Sequence, residues 1–284
     1  MNPNEITIII KTFERIKSLK RLLDSILKFY PKIPIIICDD SKKNIKNKLE
    51  YYYKNINIKY IHIAFDSGLS KGRNVLLQNV NTPYFVLCDD DFVFDKRTDI
   101  NNAFECLIKY NLDIIGGDFY NYITITSLKR FLKLLFFDFE KIIWFISNRY
   151  VLSRYIGTFE EKNKGLEFWI SNHNSSHEPY FCDAVNNFFI AKTTAVKKIG
   201  GWNEELKVGE HEDFFLRAKK MKLKIAYLNG FGVRHYPVIN SNYKKYRYRS
   251  FAFKKRFVEI HGYDWYKEIT EWNNEVIFEF KKDV

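Results

Sequence analysis

The chain is poor in the residues that cross-link or punctuate a fold. Its 284 residues include four cysteines, six prolines and twelve glycines. Cys38, Cys88, Cys106 and Cys182 form no C-x-x-C pair and no regular spacing, which excludes a disulfide framework and a thiolate zinc site and indicates a reducing compartment. With so little proline and glycine there is no linker-like stretch, and no internal repeat at a fixed period, so one elaborated domain is expected rather than a string of small ones. No window reaches about 18 uninterrupted apolar residues, and the opening MNPNEITIII lacks a leader's apolar run and cleavage site. The expectation is a cytoplasmic protein, peripheral at the inner face of the membrane if it meets a bilayer at all.

What is abundant is apolar and basic. A content of 46% hydrophobic and 18% aromatic residues is enough for a sizeable core. Forty-six Lys and Arg against 34 Asp and Glu give a net charge of +12, which suits a phosphorylated ligand, an anionic membrane surface or nucleic acid. The Lys, Asn and Ile usage of an AT-rich coding sequence would give the same excess without any partner.

Residues 6–10 (ITIII) form a β-branched run of the kind buried on both faces of a parallel sheet. Leu19, Leu22, Leu23, Ile26, Leu27 and Tyr30 follow at helical spacing, and Pro31 ends that helix. Strands at 35–38, 58–63, 84–88 and 113–118 then alternate with helices near 70–80 and 100–108. This predicts a doubly wound, mostly parallel α/β sheet, in which ligands bind outside the carboxyl ends of the strands. Residues 121–180 break the alternation with an aromatic and basic insertion. A strand is predicted over 184–191, a helix over 193–199, a helix from Glu212 and a strand over 224–228. The tail from 241 reads as basic and helical. The organisation expected is therefore one domain over 1–240, with a nucleotide-binding half (1–120), the insertion (121–180) and an acceptor or catalytic half (181–240), followed by the tail (241–284).

Two acidic clusters fall at strand ends. In extended backbone Asp89 and Asp91 share a side and can converge on a cation, Mg²⁺ or Mn²⁺ by the hardness of their oxygens, while Asp90 points elsewhere. Asp39 and Asp40 close an earlier strand, either to accept hydrogen bonds from ribose or a base edge, or to cap a helix. SGLSKGRN (67–74) offers helix-start amides and Arg73 to a diphosphate. In GEHEDFFLR (209–217), Glu210, His211, Glu212 and Asp213 stand at a helix start, as a capping cluster or a source of a general base. His235 follows the last strand and could be a third metal ligand. His173 and His177 have zinc-like spacing within a polar, loop-like context.

These pieces, in this order, resemble the GT-A-fold, family 2-like glycosyltransferases, and more narrowly the ganglioside-type β-1,4-N-acetylgalactosaminyltransferases and their bacterial relatives. The resemblance runs over roughly residues 5–240, through ITIIIKTFERIKSLKRLLDSI, ICDDS, GRN, PYFVLCDDDFVF, LDIIGGD, DAVNNFFIAKT and HEDFF. It implies a GT-A, Rossmann-like fold and a UDP-sugar donor, with Thr12, Arg15, Asp39, Arg73 and Asp90 on the nucleotide side. Asp89 and Asp91 would form the metal-binding DXD element, with His235 completing the shell. It also implies inversion at the anomeric carbon and transfer to a glycan or glycolipid acceptor such as lipooligosaccharide or capsule. His211 stands where many inverting relatives carry the aspartate base; Asp213 matches the second acid and is the first choice, with Glu212 and His211 as alternatives. The competing readings are a sugar nucleotidyltransferase, whose Gly-rich loop after the first strand is missing from KTFER, and a basic lipid- or nucleic-acid-binding protein. The basic and aromatic segments 128–146 and 243–256 are expected to meet an anionic membrane.

Overall fold

The structure, a computed structural model, describes residues 2–122, 150–172, 178–237, 246 and 249–281. The 128–146 segment, His173 and His177 lie outside the described residues. Its first third follows the predicted alternation, with one helix added that was not predicted: β1 (Ile6–Thr12), α1 (Ile16–Phe29), β2 (Ile35–Asp39), the added α2 (Lys46–Tyr52), β3 (Ile58–His62), α3 (Leu69–Asn79) and β4 (Tyr84–Asp89). β1 pairs in parallel with β2 and β4, and β2 with β3. All seven residues of β1 are buried because both of its faces are covered. Ile8 and Ile10 join a core with Leu19, Leu22, Leu23 and Ile26 of α1, while Ile9 faces the opposite core with Leu76 and Leu77 of α3. Burying each such side chain contributes about 1.5–3 kcal/mol, which makes the apolar run a strand rather than a surface segment.

β5 (Phe92–Val93), α4 (Ile100–Lys109), β6 (Ile114–Tyr122) and β7 (Tyr150–Ser153) come next. They are followed by β8 (Ile156–Lys162), β9 (Gly165–Ser171), β10 (Tyr180–Cys182), β11 (Ala184–Val185) and β12 (Phe189–Lys192). The last third holds α5 (Thr193–Lys198), α6 (His211–Lys220), β13 (Ile225–His235), α7 (Ser250–Ile260), β14 (Trp265–Thr270) and β15 (Glu275–Lys281). The central sheet has the order β10-β13-β6-β12-β4-β1-β2-β3, with β5 on β13 and β7 on β6. β12 is antiparallel to both β4 and β6, so the sheet is mixed around a parallel nucleus. β11, β8, β9, β14 and β15 form a second sheet. Among the described residues no helix is long and apolar enough to cross a membrane.

Three expectations need correction. The single strand predicted over 184–191 is two, β11 and β12, because Asn186 and Asn187 carry the chain from the second sheet to the central one. The described part of the insertion is not a bare excursion, since β8 and β9 build the second sheet. The tail holds the helix α7, but β14 and β15 follow it, and β14 pairs in parallel with β9. In β15 half-buried Phe278 and Phe280 alternate with exposed Glu279 and Lys281, the period of a strand with one face on a core, which compositional reading of a basic tail does not detect.

Candidate active site

The carboxyl edge of the central sheet gathers the acidic clusters. Asp89 ends β4, and Asp90 and Asp91 follow in the turn to β5. β13 runs antiparallel to β5 with His235 opposite Phe92, and the Tyr236 amide donates to the Asp91 carbonyl at 2.9 Å. This brings His235 Nε2 to 3.5 Å from Asp91 Oδ2. His235 Nδ1 lies 2.6 Å from Asn121 Oδ1, an acceptor to which the ring donates. A proton or a cation between Nε2 and the carboxylate makes their contact attractive, and the same two groups fit a divalent ion, with the Asn121 contact supplying the orienting bond that metal-ligating histidines make. Burial pushes the Asp91 carboxyl up, but the His235 contact and the Arg15 charge outweigh it and hold it below the usual range.

Asp89 and Asp90 have other partners. Arg73, with no exposed surface, donates from Nη2 to Asp89 Oδ1 at 2.9 Å and from Nη1 to Glu210 Oε1 at 2.5 Å. The guanidinium expected at the diphosphate instead ties the end of β4 to the start of α6. Asp89 and Asp91 are thus drawn toward different partners, and among the described residues no three His, Cys, Asp or Glu side chains close on one point. Asp90 is fully buried, accepts the Thr12 hydroxyl at 2.6 Å and pairs with Arg15, whose Nη1 also reaches Asp91 at 2.8 Å. Burial pushes the Asp90 carboxyl up to about 7 against the pull of Arg15. Asp90 therefore orients Thr12 and Arg15 and has no surface left for a ligand.

A cleft beside this edge is lined by Lys11, Thr12, Phe13, Arg15, Asp40 and Gly68. The carboxylate lining it is Asp40 rather than the expected Asp39. Asp39 is fully buried and accepts the Ser41 amide and the Tyr60 hydroxyl, each at 2.8 Å. Asp40 pairs with buried Lys11 and accepts the Gly68 amide at 2.8 Å, fixing a turn in which Gly68 has φ +96°. The helix-start amides proposed as a diphosphate cradle are partly spent: Gly68 donates to Asp40 and Ser70 to the Lys207 carbonyl. The tail borders the same cleft, with Arg249 paired to Asp66 at 2.6 Å and the Tyr246 ring edge-on to Phe13 at 5.0 Å. Lys254 and Arg256 likewise pair with Glu268 and Glu205.

The three candidate bases at the start of α6 point three ways, because a helix turns about 100° per residue. Asp213 is fully buried and accepts from Arg217 at 2.7 Å and from His261 Nε2 at 2.9 Å. Burial pushes its carboxyl up, and those two partners outweigh that and hold it low, which makes it a structural anion rather than the base first chosen. Glu212 faces Lys254, 3.9 Å away, and the buried Glu268. His211 alone is turned toward the Arg73 and Asp89 side. Burial, then the charges of Arg73 and Lys254, hold its imidazole down to about 3 against the opposing pull of Asp89, so it is neutral at ordinary pH. Its Nδ1 lies 3.0 Å from Asn187 Oδ1, and its ring packs on Tyr155 and Phe215.

Three contributors escaped the sequence reading: Lys11, Asn121 and Asn187. Lys11 was legible in principle, since a lysine inside the run ITIIIKT has to find a buried acid. The other two follow only from pairings across 24 and 114 positions, Asn187 with His211 and Asn121 with His235.

Comparison with known proteins identifies relatives of the chain and of its fold. A family model described as glycosyl transferase family 2 matches residues 7–169. A mouse (Mus musculus) protein, beta-1,4 N-acetylgalactosaminyltransferase 2, is 40% identical over 114 residues, 40% of this chain and 21% of its own. The human (Homo sapiens) beta-1,4 N-acetylgalactosaminyltransferase 1 is 28% identical over 218 residues, 74% of this chain and 35% of its own. The chain thus spans about a third or less of the length of these relatives. Among solved structures, S. aureus TarS 1-349 in complex with UDP-GlcNAc aligns with a TM-score of 0.58 at 17% identity, over 90% of this chain and 66% of that one. GalNAc-T7 with UDP, GalNAc and Mn²⁺ aligns with a TM-score of 0.59 at 16% identity, over 91% and 54%. At such identities the likeness is one of fold, the mixed α/β GT-A architecture.

Proposed function

The chain belongs to glycosyl transferase family 2, and we propose that it moves a sugar, N-acetylgalactosamine or a related hexosamine or hexose, from a UDP donor to a hydroxyl of a surface glycan, with inversion at the anomeric carbon. The donor choice draws on the N-acetylgalactosaminyltransferase relatives. One observation carries the reading: Asp91 Oδ2 and His235 Nε2 stand 3.5 Å apart at the carboxyl edge of the sheet. A lipooligosaccharide or capsule acceptor would be met at the inner membrane face, through the basic and aromatic segments 128–146 and 243–256.

In this mechanism Asp91 and His235 would hold a divalent ion, Mn²⁺ or Mg²⁺. The ion when bound offsets the charge that grows on the departing diphosphate. Arg73 holds Asp89 in place; Thr12 and Arg15, fixed by Asp90, border the nucleotide. The acceptor oxygen forms its bond to the anomeric carbon from the face opposite the diphosphate. The bond from that carbon to the phosphate oxygen breaks, UDP leaves with the electron pair, and the acceptor proton passes to Nε2 of His211. An imidazole held down to about 3 is a weak base in the free protein. The donor diphosphate adds negative charge beside the same cations that depress it, which raises its basicity in the loaded site.

The test is UDP release from UDP-GalNAc and UDP-GlcNAc with Mn²⁺ or with EDTA. Asp91→Asn is expected to abolish turnover while leaving Tm near that of the unchanged protein. Equal UDP affinity in Mn²⁺ and EDTA would overturn the metal role.

A further inference from the structure

Asn187 belongs to no strand or helix. It sits in the three-residue crossing between β11 and β12, where Asn186 Nδ2 anchors the chain by donating to the Gly117 carbonyl at 3.2 Å. With its neighbour fixed there, the Asn187 amide reaches across 24 positions of sequence to the first residue of α6, and Oδ1 lies 3.0 Å from His211 Nδ1. A carbonyl oxygen only accepts, so the imidazole must carry its proton on Nδ1, and the lone pair is on Nε2. The alternative tautomer would set two lone pairs against each other.

We propose that Asn187 is a positioning residue that fixes His211 as the Nδ1–H tautomer, leaving Nε2 as the proton acceptor. This rests on His211 being the base. It goes further, because it names the group that decides which ring nitrogen can act. An unconstrained neutral imidazole prefers the Nε2–H form, which presents a donor where the acceptor hydroxyl must give up its proton. A base in the wrong tautomer is a spectator, however well it is placed.

The tautomer is read directly by ¹⁵N NMR of the intact protein labelled at histidine, with His211→Gln assigning the resonance. The expected spectrum has His211 Nδ1 protonated and Nε2 at the shift of an unprotonated nitrogen. Asn187→Ala should move the pair toward the Nε2–H pattern and lower kcat by about 10²-fold at nearly unchanged donor KM. Asn187→Asp, whose carboxylate accepts the same proton, should keep the Nδ1–H pattern and restore kcat to within a few-fold. A wild-type Nε2–H signal, or a His211 spectrum indifferent to Asn187→Ala, overturns the proposal. The two layers separate cleanly: near-full activity in His211→Gln removes His211 as base whatever the spectrum says, whereas the tautomer is decided by the spectrum without any turnover.

Discussion

Neighbouring positions 211 and 213 are expected to fail in opposite ways. His211→Asn should lower kcat by about 10²–10⁴-fold with donor KM little changed, the scale of a lost general base. Asp213→Asn should instead cost stability, roughly 3–5 kcal/mol, because Arg217 and His261 lose a fully buried counter-charge; the folded fraction should keep its kcat. Steady-state kinetics beside thermal melts distinguish the two, and a stable, inactive Asp213→Asn would restore Asp213 as base. The depressed imidazole has a further consequence. Unfolded histidine titrates near 6.5, folded His211 at about 3, so between these values the unfolded chain binds a proton that the folded chain refuses. Stability therefore falls as pH drops through that window. Between pH 7.5 and 5.0 the wild type should lose more in Tm than His211→Gln does, and equal losses would refute the burial-neutral state. The residues legible in sequence were those whose type limits them to chemistry at a strand end: the three aspartates, His235 and the GEHED cluster. Which of them touch was not legible, because Arg73 could serve a phosphate or two carboxylates equally well until the fold buries it.

Between the strands, the pairing of β6 with β13 decides whether His235 reaches Asp91. Their parallel register shifts between Tyr227 and Gly232, and buried Asp118 clamps the irregularity by accepting the Tyr227 hydroxyl at 2.5 Å and the Gly230 amide at 3.2 Å. Gly117 is what permits the approach, since a Cβ there would stand 1.8 Å from the Phe231 carbonyl oxygen. Gly117→Ala should cost about 1–3 kcal/mol as an overpacked site and weaken Mn²⁺ binding by displacing the strand end that carries His235. Melts and a Mn²⁺ titration check both; unchanged Mn²⁺ affinity would mean the strand end is held independently of the bulge. Elements with a strong period or a continuous apolar run, from β1 through β6, were readable because burial on one or two faces leaves a pattern. β13 was seen only as 224–228, because Asn229, Gly230 and Gly232 interrupt its apolar run at the bulge. β14 and β15 were missed because their partner lies across the sequence.

Seen whole, the molecule is closed by its last described strands. β14 lies between β9 and β15, Tyr266 is fully buried against Phe257 of α7, and Glu268 receives both Lys254 and the Tyr266 hydroxyl. Ending the chain after Tyr263 should sharply lower soluble yield and Tm, since it opens the edge of β9 and leaves Lys254 without Glu268; a truncated protein that melts like the full chain would count against this. Trp265 pairs with Gly165, so the edge of β9 away from β8 waits on residues a hundred positions later. At a synthesis rate of 5–20 residues per second, that interval is roughly 5–20 s. During it the nascent chain carries an apolar strand with an open edge, the template on which copies of an unfinished polypeptide pair with one another. Slowing translation between 172 and 265 should therefore raise the insoluble fraction without altering any residue of the protein.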